Sequence, residues 1–439
     1  MELLERPRGW PGVLLGRPAS DGETGLEAAE RAGAWRAWRT ALREHGPEGV
    51  IRTVEASGLR GRGGAGFPTG AKWRACREAD GRGRYVVANG VEADPSAQLD
   101  RALMERDPHA VVEGTALAAY AVGAGEAIIC VRAGYVRAFE RLSAAVRAAE
   151  EAGLIGANAL GSGVDVHLDV RAVSGSFMLG EETVLLRSLE GKRAQPDQRP
   201  PYPAQRGLWG EPTVVNNVET LAAVPWIVER GAEAYGRIGA KQAPGTTLVQ
   251  LTGAVRHPGI LEVPLGTRLE AVVDAGGGGA GRLKALLVGG PSGGFVPADA
   301  LETRFAFGAL AEAGAIMGSG TILALDERAC IVDLATLMTR FLATEACGKT
   351  IPCRIGTKRL AEIGERFTGG RPRPRDPELL GDLAADVRDG ALCALELTAI
   401  NPLVSGMRYF EQEFEDHILR SACPAGVCRP LRVAAGAAH

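Results

Sequence analysis

The chain has 439 residues, 46% of them hydrophobic and 23% charged, with a formal net charge of −3. These values suit a soluble globular protein of two or three domains and give no general attraction to nucleic acid or anionic membrane. No apolar run approaches the roughly 18–20 residues that span a bilayer, and the N-terminal MELLERPRGWPG lacks the basic start and apolar run of a signal peptide. A cytoplasmic protein is expected, and in a reducing compartment its eight cysteines point away from structural disulfides.

In chain order, apolar spacings of three and four predict helices over residues 24–57, in LEAAERAGAWRAWRTALREHG and PEGVIRTVEASG. A glycine-rich loop, LRGRGGAGFPTGAKW, follows at 59–73. From Tyr85 strands alternate with helices: YVVANG, a helix around HAVVEGTALAAYAVG, AIICVR, the helix VRAFERLSAAVRAAEEAG, then VDVHLDV. That rhythm predicts an α/β domain with a mostly parallel sheet. A helix at GEETVLLRSLEG, a proline-rich crossing RPPYPAQRGLWGEPTVVNN and a helix VETLAAVPWIVERG complete it. Near residue 244 the pattern changes to TTLVQLTGAV, GILEVPLG, a short helix LEAVVDAGG, ALLVGG and TILALD, a small mixed β-rich domain. After Ala329 it becomes helices and loops.

Within GRGGAGF, Gly61, Gly63 and Gly66 satisfy G-x-G-x-x-G, but the preceding segment reads as helix, not the strand that a dinucleotide fingerprint requires. Four glycines in six residues still leave bare N–H groups able to approach a phosphate or a flat ring, with Lys72 close by to balance charge. A plain surface loop is the alternative. Two acids, Glu181 and Glu182, head a helix, where complementing the helix dipole is an ordinary explanation.

Taken in order, GLRGRGGAGFPTGAKW, YVVANGVEADP, LGEETVLLRSLEGKR, PPYPA with GLWGEPTVVNNVETL, and EACGKTIPCRIGT resemble the flavoprotein subunit of respiratory complex I. The same family includes the diaphorase subunits of NAD-linked hydrogenases and formate dehydrogenases. The resemblance runs from about Gly58 to His417. It implies an FMN- and NADH-binding α/β domain at 58–240 after an N-terminal helical segment (1–57). It further implies a ubiquitin-like β-grasp (SLBB-like) domain at 244–328, an iron–sulfur-type helical bundle at 329–420, and a cysteine-containing tail at 421–439.

By resemblance, Gly61, Arg62, Gly64 and Lys72 line FMN, and Phe67 stacks on NADH. Asn89, Glu92, Asp94, Gly180, Glu181, Glu182 and Tyr202 complete the flavin and nicotinamide surroundings, with Glu181 assisting the flavin's own chemistry. Asn216, Asn217 and Thr220 hold the ribityl phosphate. The chain departs from the family pattern in several places. Val91 stands where a flavin-bonding carboxylate is usual, and Asp94 where a glutamate is usual. Phe177 replaces a tyrosine, Tyr202 a phenylalanine, and SAQLDR at 96–101 lacks an aromatic and a lysine.

The family's four-iron cluster uses C-x2-C-x2-C and a later cysteine. Cys347, Cys353 and Cys393 match three of these positions, and Thr350 replaces the fourth. A hydroxyl is a poor iron ligand at neutral pH, so a labile or absent four-iron cluster is expected, with a three-iron cluster or free or zinc-binding thiols as alternatives. Farther on, His417, Cys423 and Cys428 have spacing that suits zinc, although packed thiols are an equal alternative. No fourth ligand can be picked out.

The implied activity is transfer of electrons from NADH through FMN to an iron–sulfur partner chain. The expected partner is a thioredoxin-like [2Fe–2S] subunit within complex I, a formate dehydrogenase or a hydrogenase, with quinone as one ultimate acceptor. Association with the inner membrane would be peripheral, through those partners. The alternative is a degenerate flavin-binding paralogue or scaffold subunit that no longer oxidises NADH or carries the four-iron cluster, motivated by Val91, Thr350 and the lost aromatic.

Overall fold

The computed structural model describes residues 1–17 and 24–433, so the last six residues of the expected tail lie outside the described residues. The chain divides into two compact units. One holds residues 5–249 and 260–267; the other holds 250–259 and 268–439.

In the first unit, α1 (Gly46–Ser57) starts with a proline in its first turn and buries Val50, Ile51 and Val54 at helical spacing. Gly58, at φ +69°, ends it in the left-handed region that glycine enters without steric cost. The glycine loop is shorter than expected. A second helix, α2 (Thr69–Glu78), begins directly after Pro68 and carries Lys72.

The first sheet has four strands, β1 (Tyr85–Gly90), β2 (Glu126–Arg132), β3 (His167–Val173) and β4 (Thr213–Asn217), in the order β3-β2-β1-β4. Every pairing is parallel. Helix α3 (Pro108–Val122) is buried on all sides, as the crossover from β1 to β2 requires. The amphipathic α4 (Val136–Glu151) packs against β3.

Two expectations need adjusting. The proline-rich crossing contains β4, because TVVNN follows Pro212 and pairs along its length with β1. The single helix expected from Val218 is broken into α5 (Val218–Ala222) and a second segment, Val224–Arg230. Pro225 has no N–H to continue the ladder.

A second, mixed sheet contains β5 (Thr246–Gly253), β6 (Gly259–Pro264), β7 (Leu283–Val288), β8 (Gly294–Pro297) and β9 (Thr321–Asp326). Their order is β8-β7-β9-β5-β6. β9 runs parallel to β5 and antiparallel to β7. β8, only four residues long, was not legible as a strand.

In the second unit, α6 (Ile331–Glu345), α7 (Lys358–Thr368), α8 (Asp376–Asp389), α9 (Asn401–Tyr409) and α10 (Glu411–Leu419) follow the sheet. Their core joins Phe295, Ile331, Phe367, Leu403 and Phe414 with Cys330, Cys423 and Cys428. None of the described helices is long and apolar enough to cross a membrane.

Candidate functional site

The order β3-β2-β1-β4 reverses between β1 and β4, and crevices at the carboxyl ends of strands at such a reversal are where open α/β sheets hold ligands. Asn89 and Asn217 sit opposite each other in register at this edge. The Asn217 amide donates to the Asn89 carbonyl (3.5 Å) and to Asp100 (2.8 Å), while its oxygen accepts from the Glu219 N–H and caps α5. Asn216 accepts from the Trp73 indole at 2.8 Å.

The glycine loop closes on the same place. The Arg62 N–H donates to the buried Thr220 hydroxyl at 2.8 Å, and a Cβ on Gly63 would lie 3.2 Å from the Asn217 Cβ. Gly64 and Gly66 have φ of +105° and +64°, so side chains there would strain the loop. Lys72 Nζ is held by Glu182 (2.9 Å) and the Val215 carbonyl (3.0 Å), and lies 5.9 Å from the Phe67 ring centre. Phe67 and Tyr202 are each 54% exposed and offer rings for stacking. A Cβ on Gly180 would come within 3.2 Å of Ala93.

Most of the predicted residues therefore converge, and Arg62 and Glu92 do work that the sequence did not reveal, whereas Glu181 keeps the helix-start role that the sequence offered. The Arg62 side chain turns inward, donating to the carbonyls of Arg60, Pro244 and Thr246 and to the Tyr235 hydroxyl. Glu92, strained at φ +35°, accepts from the N–H groups of Leu99, Asp100 and Arg101 and from the Tyr135 hydroxyl. Burial pushes its carboxyl up despite those donors. Glu181 caps the helix Glu182–Leu189 through Thr183 and Val184, with Arg199 3.8 Å from its other oxygen.

Asp94 accepts from Ser96, and Asn89 Oδ1 from the N–H of the buried Val91. Sequence reasoning missed Trp73, Asp100 and Glu219, which brace the asparagines from behind. Asp100 is held well above the usual carboxylate range by burial, then by Glu92 and Glu219. Burial likewise raises Glu219 to about 7.

The donors present, bare loop N–H groups, an ammonium and amides beside exposed rings, fit a planar cofactor carrying a phosphate.

In the second unit, Cys353 is the second residue of a short π-helix, Pro352–Thr357, and Cys393 precedes the short helix Ala394–Thr398. Burial first, then the charges of Glu396, Cys347 and Cys393, push the Cys353 thiol up to about 12. Thr350 donates to Glu396 Oε1 at 2.5 Å and accepts from the Cys353 N–H at 3.3 Å. The donor set, three thiols with an oxygen at the position of Thr350, fits an iron–sulfur cluster with a single non-sulfur protein position.

The last cluster gains the ligand that could not be picked out. Cys330, His417, Cys423 and Cys428 are all buried, and their donor atoms lie within 4.8 Å of one another. Cys330 Sγ is 3.4 Å from His417 Nε2 and 3.8 Å from Cys428 Sγ. Tetrahedral zinc with bonds of about 2.3 Å to sulfur places its ligands about 3.8 Å apart, so this donor set fits such an ion. His417 Nδ1 bonds the Glu413 carbonyl at 2.7 Å, which aims Nε2 at the sulfurs. Cys330 lies 87 residues before His417, and no local spacing could have flagged it.

Three protein families match parts of the chain. The family described as Nuo51 FMN-binding domain matches residues 54–226. The NADH-ubiquinone oxidoreductase-F iron-sulfur binding region matches 333–417, and an SLBB domain matches 248–296. The chain is 41% identical to the F 2 subunit of NADH-quinone oxidoreductase from Rhizobium meliloti (strain 1021), over 94% of this chain and 99% of that protein. It is 44% identical to the HndC subunit of the NADP-reducing hydrogenase of Solidesulfovibrio fructosivorans, over 88% and 79% respectively. A crystal structure of NAD+-reducing [NiFe]-hydrogenase in the H2-reduced state superposes with a TM-score of 0.81 at 36% identity. It covers 88% of this chain, which spans 64% of the hydrogenase chain.

Proposed function

This chain belongs to the family of NADH-quinone oxidoreductase F subunits, and from that premise we propose that it takes electrons from NADH through FMN and passes them to an iron–sulfur partner. The observation carrying this reading is the convergence of the glycine loop, residues 89–94, 180–182 and 216–220 on the carboxyl ends of β1 and β4. FMN, when bound, accepts a hydride and releases its electrons singly.

The chain's own task is orientation. Gly61 and Gly64 let backbone N–H groups approach the flavin, and Lys72, fixed by Glu182 and Val215, supplies a placed positive charge. Asn216 and Asn217 are preset by Trp73 and Asp100, so little side-chain entropy remains to be lost on binding. Phe67 and Tyr202 offer stacking surfaces for the nucleotide. Arg62 and Glu92 act from behind, shaping the loop and the turn after β1. No protein acid or base is required, and Glu181 assists by holding the helix end beside the flavin.

The chain comprises an N-terminal helical segment (1–57), an FMN- and NADH-binding domain (58–240), a ubiquitin-like β-grasp domain (244–328), a helical bundle (329–420) and a cysteine-containing tail (421–439). The SLBB match supports the β-grasp domain. Cys330, His417, Cys423 and Cys428 are assigned to zinc. A thioredoxin-like [2Fe–2S] subunit is the proposed partner, in a complex lying at the cytoplasmic side of the inner membrane. Anaerobic addition of NADH to the FMN-loaded protein should bleach the flavin absorbance. Normal FMN binding without bleaching would replace this reading with the scaffold alternative, and Val91→Asp would then be the first restoring change to test.

A further inference from the structure

We propose that Glu396 is a protein ligand of the iron–sulfur cluster, its carboxylate filling the corner at which Thr350 stands in place of a cysteine. This rests on the reading that Cys347, Cys353 and Cys393 hold that cluster.

Three observations carry it. Glu396 is 3% exposed, and among the described residues it makes no ion pair; its contacts are the Thr350 hydroxyl and the Leu392 N–H (2.8 Å to Oε2). Buried carboxylates are normally paired with a cation or bound to a metal. Its Oε1 lies 2.5 Å from Thr350 Oγ1, the side-chain atom at the midpoint of the C-x2-x-x2-C spacing. That hydrogen bond sets a carboxylate oxygen directly beside the position of the missing thiolate. The Thr350 hydroxyl also accepts from the Cys353 N–H at 3.3 Å, and Glu396 lies in the short helix Ala394–Thr398 that Cys393 directly precedes.

The chemistry distinguishes the two oxygens. An alcohol keeps its proton at neutral pH and is a weak donor to iron, whereas a carboxylate is an anionic ligand with lone pairs to spare on each oxygen. One lone pair of Oε1 accepts from Thr350 and another remains for iron. The Leu392 N–H on Oε2 and the Thr350 hydroxyl on Oε1 fix the carboxylate's direction, the task outer-shell partners perform at metal sites. On assembly the three cysteines lose their protons to solvent. The carboxylate binds through a lone pair, and the Thr350 hydroxyl keeps its proton as a positioning donor. Thr350 and Glu396 thus form one unit in which threonine orients and glutamate ligates.

The test compares the full-length protein with Glu396→Gln, Thr350→Cys and the double variant, each isolated and reconstituted anaerobically with iron and sulfide. Iron per chain and the paramagnetic resonance spectrum are measured, with bound-FMN absorbance as the control for folding. The natural chain should hold a four-iron cluster. Glu396→Gln should lose about a quarter of its iron on mild oxidation and show the signal of an oxidised three-iron cluster. Thr350→Cys should hold four irons, and adding Glu396→Gln to it should change nothing, because a thiolate then supplies the corner. If Glu396→Gln matches the natural chain in iron content and spectrum, glutamate is not a ligand and the proposal is overturned. If the natural chain binds no iron while Thr350→Cys does, the cluster reading fails for this chain and takes the proposal with it. Should Glu396→Gln lose FMN as well, the Thr350→Cys pair decides: continued sensitivity to Glu396→Gln in that background also overturns the assignment.

Discussion

Glu219 offers a direct measure of how the first unit holds its site together. It is fully buried at the start of α5, where Oε1 accepts from the Thr247 hydroxyl (2.7 Å) and the Leu248 N–H (3.1 Å). Loss of solvation dominates and lifts its carboxyl from 4.5 to about 7; Thr247, Arg62 and Leu248 pull it back, and Glu262 adds to the rise. A carboxyl raised in the folded state favours the fold while it is protonated. Its contribution is therefore complete below the unfolded value near 4.5 and is lost as pH climbs through about 7.

The rise of 7 − 4.5 = 2.5, at about 1.36 kcal/mol for each pH unit, makes the loss roughly 3 kcal/mol. Glu219→Gln removes the titration while Oε1 can still accept both bonds. Asp100, raised partly by the Glu219 charge, is relieved in the same direction. Urea denaturation of the flavin-free protein between pH 4.5 and 8 reads this by tryptophan emission, because all six tryptophans lie within residues 5–249. The natural protein should lose roughly 3 kcal/mol more than the variant across that window. Parallel pH profiles would mean that the buried carboxylate ionises at little cost, and would refute the reasoning.

Lys72→Met should weaken FMN binding by about tenfold or more, the scale of one lost charge-assisted hydrogen bond of about 1.5–3 kcal/mol; flavin fluorescence titration measures it, and unchanged affinity would remove Lys72 from the site. Cys330→Ser should abolish near-stoichiometric zinc in elemental analysis while leaving bound FMN intact, since the four donors and the flavin residues belong to different units. Equal zinc in both proteins would show that Cys330 is not a ligand.

Much of this protein is determined locally. Runs of β-branched residues, Val86 with Val87 and Ile128 with Ile129, mark β1 and β2, the spacing of Val50, Ile51 and Val54 marks a helix, and clustered glycines mark a backbone built for close approach. The flavin motifs are contiguous, so Gly61, Lys72, Asn89, Glu181 and Asn216 were readable as a group before any fold was known. What the tertiary structure alone decided are the roles that depend on residues far apart in the chain. Arg62, placed in the flavin loop by its neighbours, spends its guanidinium on carbonyls more than 180 residues away, at Pro244 and Thr246. Glu92, grouped with the cofactor residues, gathers the N–H groups of a helix start. β4 lay hidden because proline-rich flanks mask a five-residue strand whose identity comes from pairing with β1. The same holds for Cys330 beside His417 and for Glu396 beside Thr350. A lone cysteine or glutamate carries no periodicity, and only packing brings its donor atom to within bonding distance of partners 87 or 46 residues distant.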